Sequence, residues 1–181
     1  GWGSPHVTNA GATLAEDIQL DDKVENFGEQ LVKDAACELA DLSENFVIKI
    51  GASEQGFRAI RTLTGKGIRT NATLVFSVAQ AWHAARAGAT YISPFLGWKE
   101  AHGDEPDSLV PDIRALLDQF DYESQIIAAA IRNGRQIADA AVAGAHCVTA
   151  SFAVYQDSFR HPFTDHGERL FGDAWDATPH D

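Results

Sequence analysis

The sequence has no methionine, only two cysteines and few basic residues, and these shortages exclude several classes of protein. Its 181 residues contain 14 Lys and Arg against 26 Asp and Glu, which gives a formal net charge of −12 at pH 7. This charge argues against nucleic acid as a partner, because phosphate backbones attract basic surfaces. Cys37 and Cys147 lie in apolar contexts outside any CxxC spacing. We therefore expect small buried thiols, with neither a disulfide nor a zinc site.

Long apolar runs are also missing. No run approaches the roughly 20 residues that cross a bilayer, and no basic stretch followed by an apolar segment stands at the start. We therefore expect a cytoplasmic protein that does not bind a membrane. Hydrophobic residues make up 45% of the chain, which suits a single domain over residues 1–181, although residues 1–27 have little clear pattern. Position 1 is not Met either, and processing, truncation or omitted modified residues would each explain this.

Helix-like and strand-like segments alternate from residue 28 onward. The pattern predicts strands at 46–50, 71–76, 90–96, 125–131 and 146–150. It predicts helices at 28–43, 78–87 and 135–143, and one that begins at 53 and ends at 65 or 67. A polar loop at 97–107 leads to a further helix that ends near 120. A last helix runs from about 153 to 175, with a break at Pro162. This α/β alternation indicates a parallel sheet with right-handed crossovers, either a barrel or a doubly wound sheet. No GxGxxG or P-loop follows a strand, so nucleotide binding has no support.

The predicted strand from Phe46 to Ile50 has a lysine, Lys49, among apolar side chains. Burying an ammonium group costs several kcal/mol unless the group is paired or loses its proton. A neutral lysine attacks carbonyl carbon and forms a Schiff base. The alternative is a lysine at a sheet edge or paired with a carboxylate. Other polar residues within or directly after the predicted strands include Asn71, Thr73, Ser93 and Arg132.

Residues 67–80, GIRTNATLVFSVAQ, and 87–97, AGATYISPFLG, carry the most specific pattern. The pairing of N-x-T-L-x-F-S with a strand ending in S-P-F resembles the transaldolase and fructose-6-phosphate aldolase family, and the similarity extends over about residues 28–175. This resemblance implies a (β/α)8 TIM barrel with a C-terminal helix, shortened at its N-terminus in this sequence. It also implies a homo-oligomer joined through the C-terminal helix, a sugar or sugar-phosphate substrate, and a role in carbohydrate metabolism such as the pentose phosphate pathway.

The resemblance also assigns roles to individual residues. Lys49 matches the Schiff-base lysine and Thr73 the threonine that holds the catalytic water, while Glu25 matches the acidic or amide position that assists that water. Phe95 matches a position that is phenylalanine in transaldolases and tyrosine in the aldolase branch, which favours transfer over free cleavage. The implied substrate-binding residues are Asn9, Asn71, Ser93, Phe95, Trp98, Ala130 and Arg132. Neither a metal nor a cofactor is implied.

Two substrate-binding positions depart from the family pattern. The arginine that binds phosphate in the family is replaced by Trp98, and the serine that accompanies it by Ala130, although Arg132 is retained. An indole has one N–H donor and cannot reproduce the bidentate bonds of a guanidinium to phosphate. We therefore expect altered specificity at the phosphate end of the substrate.

The leading hypothesis is a class I enzyme that transfers a dihydroxyacetone-type unit from a ketose to an aldehyde. One alternative is an aldolase that acts on fructose 6-phosphate or on a non-phosphorylated substrate. Another is a non-catalytic barrel that serves as a binding or scaffold protein and keeps Lys49 as a relic.

Overall fold

The computed structural model describes residues 36–43 and 45–179. Asn9 and Glu25 lie outside the described residues, as does the first half of the predicted helix 28–43; of its described second half, residues 36–40 are helical. The described strands are β1 (Ile48–Gly51), β2 (Thr70–Val75), β3 (Tyr91–Pro94), β4 (Gln125–Ile131) and β5 (Cys147–Ala150). The helices that follow them are α1 (Glu54–Gly65), α2 (Val78–Ala87), α3 (Leu96–Ala101), α4 (Leu109–Gln119), α5 (Gly134–Val142), α6 (Phe152–Asp157) and α7 (Pro162–Asp176).

The five described strands form one sheet in the order β1-β2-β3-β4-β5, and every neighbouring pair is parallel. A doubly wound sheet reverses its strand order at a switch point. No reversal occurs among these strands, and a helix follows each of them. Sequential parallel strands with a helix after each one are the topology of a barrel, so the choice that periodicity left open is decided.

A continuous apolar layer lies between one face of the sheet and the helices. Its fully buried side chains include Ile48, Ile50, Ile92 and Ile126 from the strands and Ile60, Leu63, Ile113 and Leu117 from the helices. Each such side chain stabilises the fold by about 1.5–3 kcal/mol. Because strand side chains alternate between faces, Lys49 faces away from this layer. Lys49 is half-buried on the inner face of the sheet, whereas the apolar residues before and after it in the sequence face the helices.

The segment after β3 differs from the sequence prediction. A polar loop was expected at residues 97–107, but α3 begins at Leu96, and Leu96 and Gly97 are buried. Lys99, within the helix, forms an ion pair with Asp104, which follows it. Burial of the first turn against β4 thus imposes a helix on a sequence with weak helical periodicity.

The C-terminal segment matches its prediction more closely. The expected break at Pro162 separates α6 from α7, and Pro162 stands in the first turn of α7, where the missing N–H costs nothing.

No helix in the described part of the chain is long and apolar enough to cross a membrane. The cysteine prediction is partly wrong: Cys37 is half-buried, but Cys147 is exposed, because β5 has no further strand beside it among the described residues.

Candidate active site

Polar side chains from three adjacent strands meet on the inner face of the sheet. Lys49 pairs with Asn71, and Asn71 pairs with Tyr91, so these three side chains share that face. Ser93 follows Tyr91 by two residues, and its hydroxyl donates to the Asn71 side-chain oxygen at 2.8 Å. Asn71 and Ser93 are only 5% and 1% exposed. The buried bond fixes the orientation of the Asn71 amide beside the lysine strand.

Thr73 brings an unsatisfied hydroxyl to the same face. It pairs with Gly51, which lies two residues beyond Lys49, and its side chain is buried. Its Oγ1 has no hydrogen-bond partner among the described residues. A buried hydroxyl without a partner costs about 1–3 kcal/mol, so it is normally satisfied by water or a ligand. Thr73 therefore has the properties required to hold a water molecule beside the lysine.

Three aromatic rings, Phe76, Phe95 and Trp98, form what we call the aromatic wall. The Phe95 and Trp98 ring centroids are 5.4 Å apart, and the Phe76 ring lies 5.8 Å from Phe95 and 6.1 Å from Trp98. The Lys49 Nζ atom lies 5.9 Å from the Phe95 centroid. This distance is at the outer limit of a cation–π contact. The wall thus extends from the lysine towards Trp98, which is 40% exposed.

Arg132 reaches the far end of the wall. Its side chain passes directly over the backbone of Gly97, where an added Cβ would meet the Arg132 Nε at 2.9 Å and the Ala130 carbonyl oxygen at 2.1 Å. Only glycine allows so close an approach between α3 and the end of β4. Gly97 precedes Trp98 directly, so the guanidinium and the indole are brought to the same end of the site.

The ends of β2 and β4, with the residues that follow them, repeat the same local structure. Leu74 and Ala130 have left-handed φ values of 57° and 58°, and the pairing register of each strand shifts there. Such bulges redirect the end of a strand. Two residues later, Phe76 and Arg132 occupy equivalent positions on the site. Each is followed by a helix cap, S-V-A-Q at 77–80 and N-G-R-Q at 133–136.

Sequence reasoning missed Phe76 and Gln80 as site residues. Phe76 was interpreted only as a strand residue, although it completes the aromatic wall. Gln80 was interpreted only as part of a motif, although its side chain bonds both to the backbone of Phe76 and to Ala52, just beyond β1. The S-x-x-Q capping pattern is the signal that could have indicated Gln80.

Two shifted pKa values occur around the start of β5. The His146 Nδ1 accepts from the Ile126 N–H at 2.9 Å, while the Arg114 Nη1 lies 2.8 Å from its Nε2. Desolvation, and then the positive charge of Arg114, lower the pKa of His146. Burial raises the pKa of the Cys147 thiol. Cys147 pairs with Ile127 and so shares the inner face, where it stays a protonated thiol at neutral pH.

Comparison with known proteins identifies the family. The family model described as Transaldolase/Fructose-6-phosphate aldolase matches residues 17–178. The chain belongs to this family. The resemblance found in the sequence is confirmed, and so is the α/β TIM-barrel fold. The described strands β1 to β5 are consecutive strands of such a barrel.

The similar proteins include enzymes with a named substrate. Two proteins named 6-deoxy-6-sulfo-D-fructose transaldolase, from Priestia aryabhattai and Priestia megaterium, are each 51% identical over 140 residues, covering 77% of this chain and 62% of theirs. A probable transaldolase of Phenylobacterium zucineum is 44% identical over 140 residues, covering 77% of this chain and 64% of its own. The chain therefore spans less than two thirds of the length of these relatives.

A metal ion was not expected from the sequence. Among residues 36–43 and 45–179, no three His, Cys, Asp or Glu side chains are grouped as metal ligands would be. The absence of a cofactor stays a prediction of the family resemblance.

Proposed function

We propose that this protein is a transaldolase, which moves a dihydroxyacetone-type unit from a ketose to an aldehyde through a Schiff base on Lys49. The observation that carries the proposal is the position of Lys49 on the inner face of a transaldolase-family barrel. There it lies beside the buried Asn71 and Ser93 pair and against Phe95. Imine chemistry supplies the electron sink that this reaction requires.

The proposed reaction begins with attack of Lys49 on the donor ketone. The neutral Lys49 amine adds to the ketone carbon, and the resulting hydroxyl takes up a proton and leaves as water, which gives an iminium ion. A base removes the proton from the hydroxyl two carbons beyond the iminium carbon. The bond between that hydroxyl-bearing carbon and the carbon next to the iminium then breaks, and its electron pair moves into the iminium to give an enamine. The first aldehyde leaves. The enamine carbon then attacks the acceptor aldehyde, whose oxygen takes up a proton, and hydrolysis frees Lys49.

Thr73 is proposed to hold the water that carries these protons. Its buried, unsatisfied hydroxyl is adjacent to the lysine strand and offers a partner to such a water. General acid–base catalysis by a positioned group typically contributes roughly 10²–10⁴-fold to the rate of an enzyme. Glu25, assigned through the family resemblance, is the proposed acidic partner of that water.

We propose a sulfonated ketose as the donor. A sugar phosphate carries nearly two negative charges at neutral pH and a sulfonate carries one. The site keeps Arg132 but has Trp98 in place of the family's second cation and Ala130 in place of its serine. One guanidinium balances one negative charge. The 51% identity to proteins named 6-deoxy-6-sulfo-D-fructose transaldolase supports the same donor.

Borohydride trapping tests the role of Lys49. Incubation with dihydroxyacetone and borohydride should add one reduced adduct at Lys49, located by peptide mass spectrometry. Lys49→Arg should abolish the adduct, because a guanidinium does not form this imine. Lys66→Arg, at an exposed lysine, is the matched control and should leave it intact. A protein that forms no adduct with any carbonyl donor would instead favour the scaffold hypothesis.

Comparing the turnover of a sulfonated donor with that of a phosphorylated donor tests the proposed substrate. We expect 6-deoxy-6-sulfofructose to give a kcat/KM at least about 10-fold above that of fructose 6-phosphate, because the lost hydrogen bond to a charged group costs about 1.5–3 kcal/mol. Trp98→Arg should reverse this preference. Equal turnover of the two donors would contradict the assignment. Release of free aldehyde without an acceptor would favour the aldolase alternative, which Phe95, lacking a hydroxyl, argues against.

A further inference from the structure

The turn that follows the Lys49 strand is fixed at a single residue, Ala52. Its N–H donates to the Thr73 carbonyl oxygen at 2.8 Å, and its own carbonyl oxygen accepts from the Gln80 Nε2 at 3.2 Å. Thr73 and Gln80 belong to the next strand–helix unit, β2 and α2. Both backbone polar groups of Ala52 are therefore bonded to the neighbouring unit, three residues beyond Lys49.

The carbonyl of Gly51 leaves this turn little freedom to move towards α1. Gly56 lies so close that an added Cβ would be 2.0 Å from the Gly51 oxygen. The end of β1 is thus confined by the backbone of α1 on one side and by the Gln80 amide on the other.

The other end of the Gln80 amide holds the aromatic wall. Its Oε1 accepts from the Phe76 N–H at 2.9 Å and from the Ser77 hydroxyl at 3.3 Å. The Phe76 ring packs on Phe95 and Trp98, and Phe95 lies against the Lys49 ammonium. One amide group therefore joins the turn beyond the lysine to the wall that the lysine faces.

We propose that Gln80 is a positioning residue that sets the distance and angle of Lys49 relative to the aromatic wall. Gln80 does not contact the reacting atoms and acts through Ala52 and Phe76. The inference rests on the proposed imine chemistry of Lys49. Without the amide, β1 and β2 retain their ladder bonds, but the turn after the lysine strand and the start of α2 lose their direct link.

The repeat after β4 supplies an internal control, because Gln136 stands at the same position of the same kind of cap. Its Oε1 accepts from the Arg132 N–H at 2.8 Å, and its Nε2 donates to the Glu100 carboxylate. It thus satisfies the same kind of backbone group and links its helix to α3 instead of to the Lys49 strand. Changes at Gln136 repeat the loss of helix capping without disturbing β1.

The test compares Gln80→Glu with Gln136→Glu. Glutamate keeps the acceptor for the backbone N–H but loses the donor, and it places a carboxylate oxygen against the Ala52 carbonyl or the Glu100 carboxylate. The readout is the rate of borohydride-trapped imine formation with dihydroxyacetone, an uncharged probe that does not need Arg132. It is followed as a function of dihydroxyacetone concentration, together with the thermal midpoint of each variant.

We expect Gln80→Glu to lower the maximal trapping rate by about 10-fold or more, since misplacement by about 1 Å costs up to about 100-fold. The half-saturating concentration should change less than the rate. Gln136→Glu should trap within about twofold of the unaltered protein, with a similar loss of thermal stability. Equal trapping losses in the two variants would overturn the inference, because both would then reflect capping alone.

Two further outcomes, a Gln80→Glu variant that does not fold and an unaltered protein that forms no adduct, have different meanings. If Gln80→Glu does not fold, Gln80→Leu against Gln136→Leu makes the same comparison without introducing charge, and the same two results decide it. If the unaltered protein itself forms no adduct at Lys49, the proposed function fails and this inference fails with it. A trapped unaltered protein with an unaffected Gln80→Leu overturns the positioning role alone.

Discussion

Gly97→Ala probes the contact between α3 and the end of β4 that brings Arg132 to the site. The new methyl carbon would lie 2.1 Å from the Ala130 carbonyl oxygen and 2.9 Å from the Arg132 Nε. The arginine side chain can rotate away. The carbonyl belongs to a residue already at a φ of 58°, so relief there requires movement of the backbone.

The size of that movement follows from the contact. Carbon and oxygen atoms approach to about 3.3 Å, so α3 must retreat by about 1 Å. Overpacking of this kind costs about 1–3 kcal/mol. With a urea dependence of about 2 kcal/mol per molar, the unfolding midpoint should fall by about 0.5–1.5 M. The displaced Arg132 should also lower kcat/KM for an anionic donor more than for dihydroxyacetone.

Urea unfolding followed by circular dichroism, together with turnover of both donors, measures the two effects. Gly65→Ala is the matched control, because its Cβ meets nothing within 4 Å at the end of α1. It should leave turnover unchanged and raise stability by up to about 1 kcal/mol. If Gly97→Ala unfolds at the same urea concentration as the unaltered protein and keeps its donor selectivity, the close approach described here is wrong.

Three further outcomes are expected. Ser93→Ala should cost about 1–3 kcal/mol in urea unfolding by leaving the buried Asn71 oxygen unpaired, whereas Thr70→Val, at a buried hydroxyl without a described partner, should be neutral or stabilising. Equal losses would refute the contrast. The folded-state pKa of His146 lies below the ordinary histidine value of 6.5, so its contribution to stability is present above pH 6.5 and is lost as the pH falls further. His146→Gln should therefore lose less stability than the unaltered protein between pH 7.5 and 5.5. Phe171→Glu, on the exposed apolar face of α7, should lower the mass measured by light scattering if the expected homo-oligomer forms there, and a monomeric unaltered protein would contradict that expectation.

Local pattern was sufficient for most of the fold. Gly88 has a φ of 90° at the end of α2, and Ser77 caps its start as predicted, because caps and turns depend on near neighbours. The strands were predicted to within a few residues, since their apolar runs are needed to fill the core. The predicted loop at 97–107 was wrong at α3, whose helix depends on contacts with β4, a segment about 30 residues away. No local signal encodes such a contact.

Some features of the candidate site follow from the sequence, and others depend on the tertiary structure. Residue types at motif positions predicted Lys49, Asn71, Thr73 and Ser93 as site residues, because imine chemistry restricts which side chains serve and the family pattern is specific. The sequence by itself therefore determined the family, and the proposed imine chemistry rests on it. The tertiary structure alone decided that Phe76 completes the aromatic wall, that Arg132 lies over Gly97, and that Gln80 ties the wall to the lysine strand. Those relations depend on strand register and on two left-handed bulges, and both are set by packing between segments distant in the chain.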